Sequence, residues 1–190
     1  IAGEAGLPVA QKKDSQEICF VPDNDYAGFI EKSTGTKISG GNYIKKDGTV
    51  IGEHKGIIHY TIGQRKGLNL SMGHPVFVTE IRPETNEVVI GENEELFVRS
   101  LICDRMNYMA MEEINEGEVL TGKIRYNHPG APCTLKKLED GRVQVNFLEP
   151  QRAVTPGQAV VLYRGEYVAG GGIILGPVRE KENAAALSEF

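Results

Sequence analysis

The chain has no CxxC pair, and its three cysteines, Cys19, Cys103 and Cys133, stand far apart. An odd count without framework spacing points to a reducing compartment, the cytoplasm, and away from a structural zinc site. No apolar run approaches the roughly 20 residues needed to span a bilayer. No basic flank leads into an apolar signal segment. A Walker loop, a dinucleotide fingerprint and a nucleophile elbow are all missing, so no motif here binds ATP. The chain also lacks an initiating Met. It opens on "IAGEAGLPVA", which reads as the last turns of a helix begun elsewhere, with Gly6 as its cap and Pro8 as its stop. A piece of a longer protein is expected. Nor is there a basic excess: the net charge of −5 argues against indiscriminate nucleic-acid binding.

What is present is β-rich. The 23 glycines fall between short β-branched runs, and 40% of residues are hydrophobic, so many strands and turns are expected. "DNDYAGFIEKS" carries a helix start, with Asp23 or Asn24 as cap and Tyr26, Phe29 and Ile30 on one face. "KKDGTVI" is a hairpin signal, and "PVFVTEI" and "EVVIGE" are strands joined by the turn "RPETN". From residue 96 six strand segments follow at regular spacing: "LFVRSLICD", "VLTGKIRYN", "APCTLKKLE", "RVQVNFLE", "QAVVLYRG" and "EYVAGGGIIL". They predict a closed antiparallel barrel. The fold class expected is mainly β with some α: a small α+β unit over 20–95, a six-stranded antiparallel β-barrel over 96–178, the edge of a larger unit over 1–19, and a frayed tail over 179–190.

Charge is uneven. Residues 123–164 carry seven Lys/Arg against three acids, whereas residues 92–118 carry eight acids against two Arg. Residues 54–66 hold three basic residues and no acid. Local basic surfaces are therefore expected, separated by an acidic stretch.

Three segments hold candidate chemistry. In "KKDSQEICF", residues 12–20, Cys19 has apolar neighbours that suit a buried thiol. Lys12 and Lys13 pull the other way, because cations raise the thiolate fraction. Cys103 and Cys133 lie in strand patterns and read as structural. In "GEHKGIIHYTIGQRKGL", residues 52–68, Lys55, Arg65 and Lys66 supply charge and Gln64 an amide. That set suits phosphate contact, and equally a solvated loop. His54 and His59 read as structural or RNA-facing, not as metal ligands. In "KIRYNHPGAPCTL", residues 123–135, strand alternation sends Arg125 and Tyr126 to opposite faces. Arg holds phosphate and Tyr stacks on an unpaired base; the plainer reading makes Tyr126 core and Arg125 a solvated charge. "TPGQAVVLY" places Gln158 after a Pro-Gly turn at a barrel rim. "AGGGIIL" has no helix after its glycines and reads as a strand kink or bulge.

Taken together, "KKDSQEICF", "GEHKGIIHYTIGQRKGL", "IRYNHPGAPCTL" and "VTPGQAVVLYRGEYVAGGGII" resemble the tRNA-specific 2-thiouridylase family in order and spacing. The resemblance implies three parts: a PP-loop domain that binds ATP and carries one cysteine, a small central domain, and a C-terminal β-barrel that grips tRNA. This sequence resembles the end of the first part plus the other two, without the PP-loop. The family replaces the 2-oxygen of the wobble uridine, tRNA position 34, with sulfur. ATP with Mg adenylates that oxygen. A cysteine persulfide loaded by a sulfur-relay donor protein delivers the sulfur, and a transient disulfide with a second cysteine follows. By this resemblance Cys19 is the persulfide cysteine, and its disulfide partner is absent from this chain. Arg125, Tyr126 and Gln158 match tRNA contacts, and the block with Lys55, Gln64, Arg65 and Lys66 is implied in tRNA backbone contact or scaffolding. The partners implied are the anticodon stem-loops of Lys, Glu and Gln tRNAs. The alternative is a non-catalytic RNA-binding barrel module in which Cys19 is inert.

Overall fold

The structure is a computed structural model that describes residues 4–6, 21 and 25–179. Cys19, Lys12 and Lys13, most of the segment expected as a helix end, and the tail from residue 180 lie outside the described residues.

Among the described residues one α-helix, α1 (Tyr26–Thr34), precedes ten strands. Its cap is Asp25, not Asp23 or Asn24: the Asp25 carboxylate accepts the Gly28 N–H at 3.0 Å. The helix ends on Gly35 in the left-handed region, as a C-cap glycine does. Its apolar side chains are not fully buried, and Phe29 stays 40% exposed.

The first four strands are β1 (Gly41–Ile44), β2 (Val50–His54), β3 (Phe77–Arg82) and β4 (Glu87–Gly91). They form one sheet in the order β2-β1-β4-β3. The Asp-Gly signal makes the β1–β2 turn, where Asp47 Oδ1 accepts the Thr49 N–H at 2.9 Å. The β3–β4 turn falls at 83–86, with Asn86 in the left-handed region. Between these hairpins β1 and β4 pair in parallel. Tyr43, Tyr60, Leu68, Val76, Val78, Val88 and Ile90 make the core of this unit.

The remaining strands are β5 (Phe97–Tyr108), β6 (Leu120–Lys123), β7 (Ala131–Lys137), β8 (Val143–Arg152), β9 (Ala159–Arg164) and β10 (Tyr167–Val178). They close into an antiparallel barrel in the order β10-β5-β8-β7-β6-β9. Each of the six segments read from the sequence contributes one strand. Period-2 alternation turns Leu101, Cys103, Cys133, Leu135, Val143, Val145, Val160 and Leu162 inward, where all are buried. The run Gly170–Gly172 is the expected irregularity: register shifts occur on both sides of it. A Cβ at Gly170, Gly171 or Gly172 would stand 2.7, 2.7 or 2.6 Å from a carbonyl oxygen of a neighbouring strand. Only glycine lets the two long edges of the barrel meet here.

The sheet and the barrel meet through arginines. Arg152 lies over the Phe77 ring at 5.4 Å and donates to Asn93 Oδ1 at 3.3 Å. Arg179 donates to the Thr79 carbonyl at 3.1 Å and lies 3.8 Å from the Glu80 carboxylate. Among the described residues no helix is long and apolar enough to cross a membrane.

Candidate nucleic-acid interface

Strand β6 stops at Lys123. Arg125 and Tyr126 are therefore not on a strand with opposed faces, as alternation suggested. They occupy the first two places of a tight turn, 125–128, closed by the His128 N–H on the Arg125 carbonyl at 3.0 Å. The reason is local. Asn127, His128, Pro129 and Gly130 are turn formers, and Pro129 has no N–H for a ladder. Tyr126 is not core either: 83% of its surface is exposed. The Arg125 guanidinium donates to the Arg152 carbonyl at 3.0 Å, which ties the charged head to the end of β8.

Gln158 is exposed on the turn 155–158 that starts β9. Its backbone is pinned to β10, because the Ile174 N–H donates to the Gln158 carbonyl at 2.8 Å. Strands β6 and β9 run antiparallel with Lys123 opposite Val161. The residues that follow Lys123 and those that precede Ala159 thus lie at the same end of the barrel. The fold brings Arg125, Tyr126 and Gln158 to one rim, although 33 positions separate the first from the last.

The glycine-rich loop of the sheet unit arrives at the same end. The Gly63 N–H donates to the Val78 carbonyl at 2.8 Å, and the Val78 N–H to Gln64 at 2.9 Å. A Cβ on Gly63 would stand 3.1 Å from Ala153 Cβ and 3.3 Å from the Arg152 guanidinium. Arg65 and Lys66 are exposed on this loop. Gln64 is different. Its amide oxygen accepts the Thr61 N–H at 3.0 Å and its amide nitrogen donates to the Lys66 carbonyl at 3.0 Å. Its side chain holds the loop's shape. Lys55 is exposed but lies elsewhere: it follows His54, which pairs with Gly41 where β1 begins, at the opposite end of the sheet.

Three residues that the sequence reading passed over hold this rim. His128 is 5% exposed. Its Nδ1 accepts the Gly130 N–H at 3.2 Å and its Nε2 lies 2.9 Å from Gln151 Oε1. Gln151 in turn donates to the Glu149 carbonyl at 2.6 Å. Arg152 then joins barrel, loop and sheet as described. One signal for His128 was visible: the spacing His-x-Gly occurs at both 54–56 and 128–130. His54 uses it identically, with Nδ1 accepting the Gly56 N–H at 3.0 Å and Nε2 at 3.1 Å from the Asn86 carbonyl. Tyr43 and Tyr60 pack edge-on against its ring, with centroids 5.4 and 5.5 Å away. His54 is buried, and its ring ties together the Gly56 and Asn86 backbones.

Burial pushes His54 and His128 below the ordinary histidine value of 6.5, and the Arg125 and Lys123 charges add to the effect at His128. His59 moves the same way, by burial and then by the Lys55 charge. Below 6.5 the unfolded chain therefore binds more protons than the folded one, and stability falls as pH falls. Urea midpoints measured from pH about 7.5 down to about 5 are expected to decrease steadily, since unfolding takes up protons across the histidine range. A flat profile would mean that these rings are not buried as neutral groups.

Residues 27–92 match the family model described as "tRNA methyl transferase PRC-barrel domain", and residues 98–174 match "Aminomethyltransferase beta-barrel domain". A protein of Lachnoclostridium phytofermentans named tRNA-specific 2-thiouridylase MnmA is 58% identical over 175 residues, which is 92% of this chain and 49% of the relative. The chain belongs to the tRNA-specific 2-thiouridylase family. A second thiouridylase, from Clostridium botulinum strain Langeland, is 50% identical over 94% of this chain and 50% of its own length. A third, from Clostridium perfringens strain 13, is 48% identical over 92% and 48%. The chain spans about half the length of the curated thiouridylases it matches.

Proposed function

We propose that this chain is the RNA-gripping part of a tRNA 2-thiouridylase and carries its persulfide cysteine, Cys19. The reaction replaces the 2-oxygen of the wobble uridine, tRNA position 34, with sulfur. A sulfur-relay protein loads Cys19 as a persulfide. Its outer sulfur bonds to C2 of the uridine, the adenylated 2-oxygen leaves as AMP, and a second cysteine, not among Cys103 and Cys133, attacks the Cys19 sulfur and closes a disulfide as the thiocarbonyl is released. The partners in this reading are the anticodon stem-loops of Lys, Glu and Gln tRNAs, in the cytoplasm. The domain limits proposed are 20–95 for the central unit and 96–178 for the barrel.

The observation that carries the RNA half is the convergence at one barrel end. A largely exposed aromatic ring, an arginine whose guanidinium is tied to β8, an exposed glutamine and the loop bearing Arg65 and Lys66 stand at the same barrel end. A tyrosine that gains nothing from the core, set beside cations and an amide, suits an unstacked base with its phosphate. The acidic residues 112–118 sit beyond the other end of the barrel, where β5 finishes and β6 begins, so they do not oppose phosphate at this rim.

This reading places the site for ATP and its magnesium outside this chain. The N terminus of α1, where a phosphate would look for free amides, is closed by the Asp25 carboxylate. Activation of the 2-oxygen by ATP is assigned to no residue of this chain.

The RNA half is tested by tRNA binding at several salt concentrations. Arg125→Ala is expected to weaken binding by about fivefold and to lower the salt slope by about one phosphate contact. An unchanged affinity and slope would remove Arg125 from the footprint. A chain that binds no tRNA at all would overturn the reading.

A further inference from the structure

We propose that His128 is a positioning residue for RNA binding: its imidazole clasps the 125–130 segment to the end of β8 and so fixes where Arg125 and Tyr126 stand. The proposal rests on the tRNA-binding reading above.

The need for a clasp follows from Tyr126 itself. With 83% of its surface exposed, packing does not hold the ring. Its place is set only by the turn that carries it. That turn is tied to two consecutive residues of β8. Arg125 donates to the Arg152 carbonyl at 3.0 Å, and His128 reaches Gln151 Oε1 at 2.9 Å. The two ties differ in kind. The Arg125 tie uses a side chain that also contacts RNA in this reading, whereas His128 is buried and contacts none.

The tautomer is determined by its neighbours. Gln151 donates its amide N–H to the Glu149 carbonyl, which turns Oε1 toward the ring. Nε2 must then carry the proton, and Nδ1 is left to accept the Gly130 N–H at 3.2 Å. Only a neutral imidazole satisfies both partners. The groups facing the ring are the Arg125 and Lys123 cations, the Gln151 amide, the Gly122 carbonyl and the Gly130 N–H. No carboxylate is among those facing groups to hold a second proton. The same clasp occurs at His54 with Gly56 and Asn86, so the arrangement is a device the fold uses twice.

A protonated ring would point a second N–H at the Gly130 N–H and release the segment. Acid should therefore weaken RNA binding. This sign is opposite to that of an exposed histidine, whose new charge would attract phosphate. A turn that is ordered beforehand loses less freedom on binding, which is how the clasp acts on affinity.

The test is tRNA binding by the full chain, with His128→Ala, His128→Asn and the pair Arg125→Ala/Tyr126→Ala. Asparagine presents an oxygen near the Nδ1 position and does not titrate. At about pH 7.5 His128→Ala is expected to bind about tenfold more weakly, the size of one buried hydrogen-bond network lost. His128→Asn keeps an acceptor for the Gly130 N–H but cannot reach Gln151, so it should bind nearly as weakly as His128→Ala and lose the parent's acid-side weakening. Placed on the Arg125→Ala/Tyr126→Ala background, His128→Ala should add less than about twofold, because it acts through those residues. Parental affinity in His128→Ala, full additivity on that background, or parental binding that tightens in acid would each overturn the proposal while leaving tRNA recognition intact. A parent chain that binds no tRNA overturns both. Imidazole nitrogen shifts read the clasp without RNA: protonation at Nδ1 near neutral pH would refute it.

Discussion

Iodoacetamide at about pH 7.5 is expected to alkylate Cys19 in the folded chain and to leave Cys103 and Cys133 intact. Both barrel cysteines are fully buried. Burial pushes each thiol up to about 12, helped at Cys103 by the Asp104 charge. At that value only about 3 in 100,000 molecules hold the thiolate, against about one in ten for an ordinary thiol. The difference in rate is about three-thousand-fold before access is counted. Cys103 also spends its S–H on the Val143 carbonyl at 3.4 Å. A persulfide carrier must be both ionised and reachable, so two of three cysteines are disqualified by the barrel that buries them. If the proposed role of Cys19 holds, Cys19→Ser in a complete 2-thiouridylase carrying this chain abolishes 2-thiouridine formation and leaves tRNA affinity within about twofold, since RNA is gripped elsewhere. Normal thiolation by that variant would end the role. Slow alkylation of Cys19, at the rate of the two buried thiols, would favour the non-catalytic RNA module.

The double variant Arg125→Ala/Tyr126→Ala should lose about 100-fold in tRNA affinity. Stacking on an exposed aromatic ring contributes about 1–3 kcal/mol per base, and an arginine on phosphate adds about 1 kcal/mol more. The same variant should melt within a few degrees of the parent. Tyr126 lends the core nothing at 83% exposure, and Arg125 gives up one exposed hydrogen bond to the Arg152 carbonyl. A stable protein that no longer binds RNA separates recognition from folding. A comparable loss in Lys137→Ala, an exposed cation at the other end of the barrel, would show that the assay reports general charge and not this rim.

Much of this was legible in the linear chain. Asp47-Gly48 and the 83–86 segment announced two hairpins through the turn chemistry of their own residues. Six alternating segments announced six strands, because a strand's two faces are written into every second residue. The high exposure of Tyr126 was not legible. "KIRY" alternates as a strand does, and the turn formers that end β6 come just after it. Nor was the inward use of Gln64, whose amide partners lie in its own loop but only in one backbone conformation.

The sequence by itself determined which segments are strands, that Cys103 and Cys133 sit among them, and which family the motifs resemble. These are properties of neighbours along the chain: periodicity, turn residues and spacing. Only the tertiary structure decided that β1 pairs with β4 in parallel, that β10 closes on β5, and that Gly63, Arg125, Arg152 and Gln158 share one barrel end. It also decided that His128, marked in the chain only by its His-x-Gly spacing, is buried and bonds the Gly130 N–H and Gln151 beside Arg125 and Tyr126. Each of these depends on which strands lie side by side, and that is set by hydrogen-bond register between residues tens of positions apart. Local alternation leaves that register open.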